Sequence, residues 1–305
     1  MCSRFPLKDR GNDTKEDLRM TYLKVLIRLL ISVVLLFCCQ NGIAAEKAIP
    51  QRIICLSPHI TEEIFMLGAQ DRLIGCTTYC VKPEAARDKE KVGTVVEVNL
   101  EKIVGLRPDL VLASGLTDAR AVKKMRALGM AVELFYQPKN FDELCGELLR
   151  VGQLIGKEPE AQKIVDESRA RAGAISGKHA GEKEVTVFVE VGAKPLVTVS
   201  DDSYIHDLVV RAGGVNIASG GRTGVYSREV VIRKNPDVII IITMGILAEL
   251  EKEQWLKSKT LKAAQQGRVH LVDAYTIGSL TPVSFVDTLE EFSRLLHPEP
   301  KKDLL

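Results

Sequence analysis

Two glutamates occupy matching places in a stretch that the chain contains twice. NLEKIVGLRPDLVLAS (residues 99–114) and SREVVIRKNPDVIIIIT (227–243) share one plan. A helix-capping residue is followed two positions later by Glu101 or Glu229, then by an apolar helix turn, then by Pro-Asp opening a strand rich in Val, Ile and Leu. A carboxylate in the first turn complements the helix dipole. Held rigidly there, it can also make charge-assisted, often bidentate bonds to an arginine. A second chemistry comes from aromatic rings. Of six tyrosines, five (Tyr79, Tyr136, Tyr204, Tyr226 and Tyr275) fall in segments that read as loops after strands. A tyrosine ring has a flat apolar face and one polar handle, which suits a large, partly apolar ligand. Ser57, His59 and Ser114 stand in loops of the same kind.

The elements that position these residues follow from the pattern of strands and helices. RIICLS (52–57) reads as a short buried strand; Pro58 then opens a loop, and Thr61 caps a helix that Gly68 ends. Strand, loop, helix, strand is the grammar of a parallel α/β sheet. Each copy of the repeat is followed by a helix, a glycine and another strand, GMAVELF from Gly129 and GRVHLVD from Gly267. The expected fold is therefore α/β, with two parallel-sheet lobes of similar topology, at 46–156 and 179–305. The connecting segment, 157–178, contains a helix predicted over 159–177. Its apolar positions Ala161, Ile164, Val165, Ser168, Ala172 and Ile175 make one narrow stripe. Ligands bind beyond the carboxyl ends of strands in such sheets, so the loops of the two lobes should face each other across a cleft.

Composition narrows the function classes. The 305 residues carry a net charge of only +2, and seven of the 42 Lys/Arg fall within residues 1–45. A near-neutral body with no basic run argues against nucleic acid as a partner. Lys24 and Arg28 precede the apolar run LLISVVLLF (29–37) and the small residues Ala44 and Ala45. That order describes an export signal over 1–45, with Met20 as an alternative start and an uncleaved anchor as the alternative fate. Of the seven cysteines, Cys55, Cys76, Cys80 and Cys145 lie beyond it. Their spacing makes no paired zinc motif, so buried thiols or a disulfide are the readings.

With these residues in view, the chain resembles the solute receptors of ABC importers for metal chelates, the cobalamin, iron-siderophore and haem receptors of the helical-backbone class. The stretches that carry the resemblance are RIICLSPHITEEIFMLGAQDRLIGCTTYC, VGTVVEVNLEKIVGLRPDLVLA, RAGGVN, SREVVIRKNPDVIII, GRVHLVD and the terminal HPE at 297–299. The resemblance implies a monomeric exported protein, in the periplasm or an equivalent extracytoplasmic space. It would capture a chelate between its lobes without any cofactor of its own, and dock on a permease dimer in the membrane. One exposed glutamate on each lobe meets permease arginines in this family, and the matching residues are Glu101 and Glu229. Tyr79 matches a ligand-contacting tyrosine of the cobalamin receptor, whose cleft tryptophans fall opposite Val95, Ser114 and Thr223. Arg222 is the nearest candidate for a cleft arginine of the siderophore receptors. Corrinoid, haem and ferric siderophore all remain open. His59 could serve as an axial ligand to the metal of a bound chelate.

Two other classes stand beside that reading: a chelatase-like enzyme acting on a tetrapyrrole, and an interaction module without a ligand. The chain has no Walker loop, G-x-S-x-G elbow or G-x-G-x-x-G fingerprint. A dedicated zinc or manganese receptor would need several convergent His and carboxylates, and His179, His206, His270 and His297 are scattered along the sequence. Trp255, the single tryptophan, is expected to pack structurally on a charged helix.

Overall fold

The computed structural model describes residues 48–298 except 180, 243–245 and 279. The expected export signal lies outside the described residues. The described residues from 49 onward form one compact unit, built on two parallel sheets and a small antiparallel one. In the first, β1 (Ile53–Cys55) is central and lies between β2 (Leu73–Cys76) and β4 (Leu110–Ser114), with β3 (Glu90–Lys91) and β5 (Val132–Phe135) outside them. In the second, β6 (Val185–Glu190) lies between β9 (Gly214–Asn216) and β11 (Val238–Ile241), and β12 (Val269–Leu271) pairs with β11. Every pairing within these two sheets is parallel. The order β2-β1-β4-β5 is thus repeated as β9-β6-β11-β12. The antiparallel sheet consists of β7 (Gly192–Ala193), β8 (Leu196–Thr198) and β10 (Gly224–Val225).

The repeat is physical in its detail. The two helices that carry the glutamates, α2 (Leu100–Leu106) and α7 (Arg228–Lys234), are seven residues each. Both end in a residue with left-handed backbone, Arg107 at φ 49° and Asn235 at φ 47°. The aspartates that follow do the same work in both lobes. Asp109 accepts hydrogen bonds from the Gln51 and Arg52 amides at 2.7 and 3.0 Å, just before β1. Asp237 accepts from the Thr186 amide at 2.9 Å and its hydroxyl at 2.6 Å, near the start of β6. The Pro-Asp pair is therefore a clamp on the central strand of each sheet.

The connecting helix, α5 (Glu158–Gly177), buries Ala161, Val165, Ser168, Ala172 and Ile175, a stripe that alternates steps of four and three. It is not an isolated strut. The helices α4 (Phe141–Ile155) and α11 (Pro282–Leu296) both pack on it. They also touch each other, where Phe141 stacks on Phe285 with ring centroids 4.8 Å apart. One continuous apolar core therefore runs from Ile53 and Leu112 of the first sheet, through Val165 and Ala172, to Val187 and Ile240 of the second. Trp255 is buried as expected, and its indole N–H donates to Glu190 at 2.7 Å. The four cysteines of this unit are buried free thiols.

Candidate functional site

The first helix, α1, spans Pro58–Met66, and its N-cap position is Ser57, four residues before the cap expected at Thr61. Proline at the first helical position loses no hydrogen bond and has its φ already set, so Pro58 begins the helix. The consequence reaches the site. His59 stands in the first turn of a helix and not in a free loop, and Pro58, His59 and Glu62 share its outward face, while Ile60, Thr61 and Ile64 are buried.

That face forms one side of a cavity of about 630 Å³. Each remaining wall comes from a segment that follows the carboxyl end of a strand. Thr78, Tyr79, Val81 and Lys82 follow β2, Ser114 and Leu116 close β4, and Gln137 follows β5. From the second lobe, Ala274 and Gly278 close the opposite side after β12. Tyr79 and Leu116 are 62% and 68% exposed. Large apolar side chains held open around a concavity are what a flat, partly apolar ligand would cover.

Polar groups beneath the cavity are tightly arranged. His59 Nδ1 lies 3.0 Å from the Ser57 hydroxyl and Nε2 lies 2.7 Å from a carboxylate oxygen of Glu147, a residue of α4. Both ring nitrogens therefore face protein groups at contact distance, although the Nε2–Glu147 approach lacks hydrogen-bond alignment. Axial coordination of a chelate by His59 would require one of these contacts to open. Glu63, behind the same helix, is fully buried, and neither of its carboxyl oxygens has a hydrogen-bond partner. Burial, then the neighbouring carboxylates of Glu147 and Glu62, push its pKa well above the ordinary range. Burial also raises Glu62, opposed by the Lys82 ammonium across the rim.

The candidates named from sequence divide into two groups. Ser57, His59, Tyr79 and Ser114 converge on this cavity. Tyr136, 71% exposed, stands beside it, its ring against Gly115, in adjoining surface depressions. Tyr204 is buried at the start of α6 (Tyr204–Arg211), and its hydroxyl donates to the Ile277 carbonyl at 2.6 Å; it braces the opposite wall from behind. Tyr226 packs on Phe188 beneath the small antiparallel sheet, and Arg222 is exposed on the turn before β10; neither lines the cavity. The Tyr275 side chain lies outside the described residues. Glu62, Thr78, Val81, Lys82, Ala274 and Gly278 were missed. A helix phased from Pro58 would have placed Glu62 beside His59, one turn on.

Glu101 and Glu229 are exposed second residues of α2 and α7, in matching places. The caps differ. Asn99 accepts from the Lys102 amide at 3.0 Å, whereas the Ser227 hydroxyl turns to the Glu229 carboxylate and, foremost among several contacts, lowers its pKa. His179 and His297, distant in sequence, are brought together by the fold, their rings stacked with centroids 3.7 Å apart.

Comparison with known proteins agrees with this architecture. A family model described as periplasmic binding protein matches residues 53–276. An uncharacterised ABC transporter substrate-binding lipoprotein of Bacillus subtilis is 28% identical over 275 residues, 87% of this chain and 85% of its own. A vitamin B12-binding protein of Yersinia pestis is 30% identical over 195 residues, 63% of this chain and 69% of its own. The crystal structure of the periplasmic vitamin B12 binding protein of Vibrio cholerae is similar with a TM-score of 0.69 at 26% identity, covering 81% of this chain and 96% of that one.

Proposed function

Because the chain belongs to the periplasmic binding protein family, we propose that it captures a metal chelate in the cavity between its sheets and delivers it to the permease of a cognate ABC importer. The chelate is a corrinoid, a haem or a ferric siderophore. The observation that carries this reading is the convergence of segments following β1, β2, β4, β5 and β12 on one cavity, with Tyr79 and Leu116 exposed around it. Such a site grips a flat ligand by its faces and leaves Glu62, Lys82 and His59 to read its polar periphery. The protein acts outside the cytoplasm, exported by residues 1–45. Glu101 and Glu229 dock the loaded receptor on arginines of the permease, because carboxylates on rigid helix starts fix orientation as well as contact.

Titration with a corrinoid, haem and a ferric siderophore, followed by visible absorption and by thermal unfolding, tests the ligand. One of the three is expected to bind at one per chain and to raise stability by about 2.7 kcal/mol when present at roughly 100 times its dissociation constant. No spectral change and no stabilisation with all three would overturn the reading.

A further inference from the structure

We propose that His179, Glu182 and His297 form a binding site for one divalent transition-metal ion, of the zinc, nickel or cobalt class, which clamps the end of the connecting helix to the end of the last helix. His179 and Glu182 lie just beyond α5, and His297 caps α11. The site shares no residue with the cavity between the sheets, so its test is independent of the chelate titrations.

Both imidazoles turn their Nδ1 atoms toward a single carboxylate oxygen of Glu182, at 3.1 Å from His179 and 3.0 Å from His297. Among the described residues this is the group of His and carboxylate donors able to share an ion, with one ligand atom from each residue lying within 4.8 Å of the others. Two imidazoles and a carboxylate are the donor set that borderline divalent ions prefer, at about 2.0–2.2 Å. The ring of His179 is already held from behind, its Nε2 lying 2.9 Å from the Ser293 hydroxyl, as the outer nitrogen of a metal-bound histidine usually is.

Core packing alone gives no reason for this pair. The rings are stacked within 8° of parallel, with the side chains only 15% and 10% exposed. Gly213 makes room for the pair: its φ is +82°, and a Cβ there would lie 2.8 Å from His297 Nε2. On binding, the rings must splay from the parallel stack so that both lone pairs meet one ion. Glu182, 52% exposed, is free to swing into a third position, and water takes the fourth.

The full chain, prepared without a polyhistidine tag and stripped with a chelator, is titrated with zinc chloride by calorimetry and with cobalt chloride by visible absorption. One zinc ion per chain is expected, and cobalt should give the intense visible bands of a four-coordinate site. His297→Ala and Glu182→Gln should each weaken zinc at least tenfold; the second changes a half-exposed carboxylate and leaves the packing intact. Absence of stoichiometric binding, or zinc affinity unchanged in Glu182→Gln and His297→Ala, would overturn the proposal.

Discussion

The Asp207 carboxylate, in the second lobe, accepts a hydrogen bond from the backbone amide of Phe141, in the first, at 2.8 Å. It caps the amino end of α4 from across the boundary, where the helix dipole favours a negative charge. Arg211 holds Asp207 in place at 2.9 Å and reaches Asp142 at 3.3 Å. The lobes are thus joined by a polar bridge beside the Phe141–Phe285 stack as well as by α5.

Such a junction resists hinge closure, which needs a few residues free to absorb large backbone changes. The radius of gyration in solution is therefore expected to stay the same on ligand binding. A clear contraction by small-angle scattering would show that the bridge opens. Asp207→Ala should destabilise the chain by about 1–3 kcal/mol in urea unfolding, because it leaves the Phe141 amide without its partner.

The matching places of Glu101 and Glu229 predict a separation of functions. Glu101→Ala with Glu229→Ala should abolish uptake of the ligand by cells while leaving affinity in solution unchanged. Neither residue lines the cavity. An equal fall in affinity would put these carboxylates in the ligand site. Stability should barely change, since both are exposed, and the contacts that replacement of Glu229 removes, foremost the Ser227 hydroxyl, lie at the surface.

Two kinds of information were readable in the chain to different depths. The repeated Pro-Asp and the glutamates before it announced two lobes, because a strand clamp must recur wherever the strand does. Asp109 and Asp237 could not be seen as clamps until their partners at 51–52 and 186 were brought alongside. For the tyrosines, residue type gave no direction. Tyr79 faces the cavity while Tyr204 spends its hydroxyl on Ile277, and the difference is that Ser203 starts a helix at Tyr204 and turns the ring inward. His179 and His297 meet only because α5 and α11 lie side by side, a tertiary fact with no local signature.

The engagement of both His59 nitrogens gives a spectroscopic expectation. His59→Gln should weaken ligand binding, since it disturbs Ser57 and Glu147 at the cavity floor, but should leave the absorption maxima of the bound chelate where they are. A shift of those maxima would show that the imidazole leaves one of its partners and coordinates the metal.

The most direct pH dependence of folding belongs to Glu190, buried at the end of β6. Burial is the main cause that raises its pKa to about 7; the Trp255 N–H opposes the shift, Glu251 adds to it, and Arg228 opposes it. The folded chain therefore holds a proton on Glu190 between about 4.5 and about 7 that the unfolded chain has released. The stabilising contribution is complete below the unfolded value. It is lost as pH rises through the folded one, with a slope of at most roughly 1.4 kcal/mol per pH unit for a single group. Glu190→Gln keeps an acceptor for Trp255 and cannot ionise, so urea unfolding followed across this range should show a shallower decline than in the parent chain. Some decline should persist, because the buried Glu63 is raised in the same sense. A slope unchanged by Glu190→Gln would mean that Glu190 is ionised throughout, paired with Arg228 in place of Glu251.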